Sequence, residues 1–148
     1  MSGKKKERTR TRARESIRCK TRQRPRILVV HDDNDIRALS TEVLIRSGYE
    51  VEAAADGAAA WQALNAEHFD LLVTDHEMPS VSGLALLKKL RAARMALPVI
   101  VATATYQRTE FTRDPWLQPA AALLMPYTVE EFLGTVREVL HAPERASP

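Results

Sequence analysis

The chain has 148 residues, 45% of them hydrophobic, with a formal net charge of +3, which suffices for one well-buried core with extensions and leaves no room for two ordinary domains. It contains neither an apolar run of about 18 residues nor a charged segment leading into a short apolar one, so a membrane span and a secretory leader are excluded and a cytoplasmic setting is expected. The lone Cys19 has no partner in the chain, which excludes an internal disulfide.

The small net charge conceals two parts of opposite sign. Residues 1–26 hold twelve Lys and Arg against Glu7 and Glu15, a charge of +10, while the remainder carries ten basic and seventeen acidic residues, −7. A segment so charged and so poor in apolar side chains cannot offset its ordering entropy. Residues 1–25 are therefore expected to be a disordered basic tail, 26–142 one domain, and 143–148 a disordered end. Through phosphate contacts the tail could touch nucleic acid without sequence preference.

From Ile27 onward, short apolar runs alternate with longer stretches of helical period, the pattern of a parallel sheet covered by helices. Ile27-Leu28-Val29-Val30 reads as a strand buried on both faces. After HDDND comes a helix with Ile36, Leu39 and Val43 at spacings of three and four, stopped by Gly48 in a left-handed cap. Val51 to Ala54 is a weaker strand, Asp56-Gly57 a turn, and Ala58 to Ala66 a second helix. Leu71 to Thr74 forms the third strand, and Ser82 caps a third helix turning Leu84, Leu87 and Leu90 inward. Val99 to Ala102 and Ala121 to Leu124 are the fourth and fifth strands. Between Tyr106 and Ala120, Pro115 and Pro119 interrupt any period, so a helix there is expected to be short or broken. A last helix buries Phe132, Val136 and Leu140. The fold class that follows is α/β, a flavodoxin-like, doubly wound five-stranded parallel sheet with helices on both faces.

In such sheets ligands bind beyond the carboxyl ends of the strands, where strand order reverses. His31, Asp32 and Asp33 follow the first strand, Asp75 the third, Thr103 the fourth and Met125 the fifth. With the first and third strands adjacent, Asp32 and Asp75 face each other, and a hard divalent cation, Mg2+ above all, relieves their repulsion. The plainer reading of each acid alone is a helix cap. The chain has no GxxxxGK or GxGxxG loop for a nucleotide and no GxSxG nucleophile.

The segments VVHDDNDIR, LLVTDHEMPSVSG, PVIVATA and MPYTVEEF resemble, in order and separation, those of the bacterial response regulator receiver domain. The resemblance covers residues 26–141. It implies a signalling domain rather than an enzyme: Asp75 as the acceptor of a phosphoryl group from a sensor histidine kinase or phosphotransfer protein, Asp32 as a magnesium ligand, and Glu77 as the residue whose backbone carbonyl completes the protein ligands. It further implies Thr103 as the hydroxyl that bonds the phosphoryl oxygen, Pro126 after a cis peptide bond, and a downstream protein target.

The chain departs from that family at His31, where an acid is usual and for which Asp33 is the substitute ligand, and at Met125, where the family carries a lysine that pairs with the phosphoryl group. It departs again at Ala122, in place of an aromatic switch residue, and at Ser82. A stand-alone response regulator is the leading expectation, since the chain ends at Pro148. A phosphate-independent pseudo-receiver acting as an interaction module is the alternative, favoured by Met125 and Ala122. His31, Asp32 and Asp75, with His76 nearby, are also the donors a zinc or manganese site would use.

Overall fold

The computed structural model describes residues 24–78, 81–103 and 118–141. Within them the order is β1 (Arg26–Val30), α1 (Asn34–Arg46), β2 (Glu50–Ala54), α2 (Gly57–Ala66), β3 (Leu71–Asp75), α3 (Gly83–Ala92), β4 (Val99–Thr103), β5 (Ala121–Leu124) and α4 (Val129–His141). The strands form one parallel sheet in the order β2-β1-β3-β4-β5. Strand order therefore reverses between β1 and β3, the doubly wound arrangement expected from sequence.

Because side chains alternate along a strand, each strand feeds two cores. Leu28, Val30, Leu72, Val99 and Val101 join Ala60 and Leu64 of α2 and Leu86, Leu87 and Leu90 of α3 on one face. Ile27, Val29, Leu71, Val73 and Ile100 join Leu44 of α1 and Phe132, Val136 and Val139 of α4 on the other. This double burial explains why β1, β3 and β4 read as unbroken apolar runs.

Local chemistry ends the elements where the sequence suggested. Gly48 has φ +98° after α1, with its N–H on the Ile45 carbonyl and the Tyr49 N–H on the Leu44 carbonyl, a Schellman closure. Asp33, Asp56 and Ser82 cap α1, α2 and α3 with side-chain oxygens that accept backbone N–H groups. The Met125-Pro126 bond is cis.

Two helix faces differ from the periodicity reading. In α1, Leu39 is 55% exposed and the inward ridge is Ser40 and Leu44, because apolar residues are spread around this helix and its spacing fixes no single stripe. In α4, Val139 is buried and Leu140 only partly so, a rotation of one position. β2 begins at Glu50 and β4 runs through Thr103. The expected short helix between Tyr106 and Ala120 lies largely outside the described residues, as do Cys19, Trp116 and most of the basic tail. Among the described residues no helix is long and apolar enough to cross a membrane.

Candidate functional site

The carboxyl ends of β1 and β3 lie side by side, with Val30 opposite Thr74 in register. The next residue on each strand, His31 and Asp75, therefore opens the crevice at the reversal point. Asp75 is the last residue of β3 and is 5% exposed. Asp32 is the open member, its side chain 41% exposed. His31, Asp32 and Asp75 each offer a ligand atom within 4.8 Å of the others.

The loop that carries this cluster is held by backbone and side chain together. The His31 N–H donates to the Ala54 carbonyl at 3.2 Å, and the His31 carbonyl accepts from Arg37 Nη1 at 2.7 Å. Arg37 Nη2 also reaches Asn34 Oδ1 at 2.5 Å, so one guanidinium ties the first turn of α1 to the end of β1. Asp33 Oδ1 accepts the N–H groups of Asp35 and Ile36 at 2.9 and 3.0 Å. That cap engages one oxygen of the carboxylate read as a substitute ligand, and Asp33 lies outside the converging group.

His31 is 8% exposed. Its Nδ1 accepts the Asp33 backbone N–H at 3.1 Å and lies 3.5 Å from Asp32 Oδ1. Its Nε2 is buried without a hydrogen-bond partner, 3.8 Å from Asp75 Oδ2. Such an orphaned buried group costs about 1–3 kcal/mol.

On the other side of Asp75, the Thr103 hydroxyl at the end of β4 donates to Glu77 Oε2 at 3.2 Å, and the Glu77 backbone N–H bonds the Asp75 carboxylate. Burial pushes the Asp75 carboxyl above its ordinary range; His31 when charged and the Glu77 N–H oppose that rise, while the Glu77 and Asp32 charges add to it. Met125, whose N–H donates to the Thr103 carbonyl at 2.8 Å, brings no cation. Among the described residues no Lys or Arg is ion-paired with Asp75.

Asp32, Asp75, Glu77 and Thr103 are thus gathered, and of the alternative transition-metal donors His76 is not among the converging three. Two converging carboxylates, one open to water, suit Mg2+, which keeps most of its own waters and takes one or two carboxylates. The imidazole is not a donor that this hard cation selects. Sequence reasoning missed Arg37, whose role shows only once the β1–α1 turn is closed. It also missed Tyr127, whose phenol is pushed up by burial and by the Asp75 charge. A position two residues beyond Met125 was the only available signal.

Comparison with known proteins agrees with this geometry. The sequence profile of the response regulator receiver domain matches residues 27–118. The DNA-binding transcriptional regulator NtrC of Rhizobium meliloti is 35% identical over 121 residues, covering 80% of this chain and 25% of that protein. Among solved structures, a CheY-like receiver domain protein from Methanospirillum hungatei superposes with a TM-score of 0.76 at 27% identity, covering 83% of this chain and 98% of that one. The response regulator TrrA of Thermotoga maritima, solved with Mg(2+)-BeF, gives 0.68 at 30% identity, covering 78% and 98%. The chain spans between 10% and 54% of the length of curated relatives such as the sensor protein EvgS of Escherichia coli and the response regulator MprA of Mycobacterium bovis. With its sheet order, its paired acids at the reversal point and this profile match, the chain belongs to the response regulator receiver domain family of two-component systems.

Proposed function

We propose that the chain is a single-domain response regulator of the cytoplasm, taking a phosphoryl group on Asp75 from a sensor histidine kinase or phosphotransfer protein and acting on a downstream protein target. The observation that carries this reading is the placement of one buried carboxylate, Asp75, at the reversal point with a second carboxylate, Asp32, open to solvent beside it. In the transfer, an Asp75 oxygen forms a bond to phosphorus as the bond from phosphorus to the donor's imidazole nitrogen breaks, and that nitrogen takes a proton from solvent. Little covalent help is needed, so positioning and charge neutralisation dominate. When bound by Asp32, Asp75 and the Glu77 carbonyl, magnesium would neutralise the phosphoryl oxygens.

The protein's own groups do the rest. Asp75 acts as the nucleophile in its ionised form, and the Glu77 N–H stabilises and orients that form against the cost of burial. Thr103, now bonded to Glu77, is the hydroxyl at hand to exchange that acceptor for a phosphoryl oxygen. Incubation with phosphoramidate and magnesium, followed by intact mass, tests the reading. A single phosphoryl adduct that disappears in Asp75→Ala and without metal is expected. A folded chain that gains no mass would instead be the phosphate-independent interaction module.

A further inference from the structure

The imidazole of His31 is fixed from three directions and unused at its fourth. Its backbone N–H and carbonyl are tied to Ala54 and Arg37, and its Nδ1 takes the Asp33 N–H. An N–H can donate only to a nitrogen that bears no hydrogen, so the neutral ring carries its own hydrogen on Nε2. That donor is buried, lacks an acceptor, and lies 3.8 Å from Asp75 Oδ2, too far for a hydrogen bond.

Metal ligation is the wrong use for it. A ligating histidine presents a bare nitrogen to the ion and donates its other N–H to a carboxylate or carbonyl. Here the arrangement is reversed, with Nδ1 against a backbone donor and the hydrogen facing the crevice. What fits a buried, preoriented N–H beside a carboxylate is an oxygen added to that carboxylate. A phosphoryl group on Asp75 adds three oxygens in a pocket where, among the described residues, no Lys or Arg is paired with that residue.

We infer that His31, through its Nε2–H, is a phosphoryl-binding residue of this receiver, donating to an oxygen of the group carried by Asp75. The inference rests on the phosphoacceptor reading above. It adds a donor from the β1 end to the Thr103 hydroxyl of the β4 end, where Met125 at the β5 end brings no cation.

Imidazole nitrogen–proton NMR of the full chain tests it directly. In the metal-free protein His31 is expected as the Nε2–H tautomer, and addition of beryllium fluoride with magnesium should move that proton downfield. His31→Phe, kept only if circular dichroism shows the native fold, should slow formation of the phosphoramidate adduct by on the order of tenfold or more. An Nδ1–H tautomer, loss of the Nε2 proton on adding zinc or magnesium alone, or an unmoved Nε2–H in a protein that does form the adduct would each overturn the donor role while leaving the phosphoacceptor reading intact. So would adduct formation at the wild-type rate in folded His31→Phe. A wild-type protein that forms neither adduct nor beryllium fluoride complex would overturn both.

Discussion

At the scale of single residues, Asp75 carries a cost that its chemistry requires. Its carboxyl is held above the ordinary value of 3.8 chiefly by burial. A carboxyl raised in the folded state contributes stability that is complete below its unfolded value and is lost as pH climbs through its folded value. Above its folded value the ionised Asp75 therefore weakens the fold, and Asp75→Asn should melt higher than wild type in metal-free buffer at alkaline pH. Lowering the pH toward 3.8 should close that gap, and a gap independent of pH would contradict the burial argument. The residue was legible in the sequence because an acid that closes an apolar strand gains nothing from packing and stands where ligands bind in such sheets. The orientation of His31 was not, since it depends on the backbone N–H of Asp33, which sequence does not display.

At the scale of elements, helix ends show how closely local sequence specifies this fold. α1 and α3 close with the same pair of backbone bonds, but the left-handed position is Gly48 in one and Arg94, at φ +59°, in the other. A side chain there costs roughly 1–2 kcal/mol that glycine avoids. Arg94→Gly should therefore raise stability by about 1 kcal/mol, and Gly48→Ala should lower it by a similar amount. Urea titration of both variants checks the opposite signs. Caps at Ser82 and Gly48 could be read from residue type, because few residues do those jobs. The inward faces of α1 and α4 could not be read fully: α1 spreads its apolar residues around the axis, and in α4 Val139 and Leu140 are adjacent candidates that only the sheet's position separates.

At the scale of the molecule, the two ends of the sheet are specialised differently. Opposite the acidic crevice, Arg26 at the start of β1 bonds Glu67 at 2.6 Å, approaches Glu50 and Glu52 at 3.5 and 3.6 Å, and lies 4.9 Å above the Phe69 ring. Its backbone N–H meets Asp70 Oδ2 at 2.8 Å. One cation thus gathers β1, β2 and the turn before β3. Each pair is partly exposed and worth well under about 1 kcal/mol alone, but they share one guanidinium. Arg26→Met should lower Tm by about 4 °C, corresponding to about 1 kcal/mol, with a smaller loss at high salt. The phosphoryl adduct should form at the wild-type rate, since the crevice is at the far end of the strands. The overall architecture was legible because doubly buried parallel strands write themselves as apolar runs. Which surface pairs bridge them was not, since any charged residue fits a solvated face equally well.

The backbone around Gly83 has a further consequence. Its N–H bonds the His76 carbonyl at 3.0 Å, and a Cβ there would come within 2.8 Å of the Asp75 carbonyl oxygen and 2.9 Å of the His76 Cα. The start of α3 is thus pressed against the backbone that carries the buried carboxylate, with no room between them for a side chain. Position 83 therefore admits no side chain unless α3 or the backbone of Asp75 and His76 shifts. The placement of the acceptor carboxylate is thereby tied to the seating of a helix through a contact made by backbone alone.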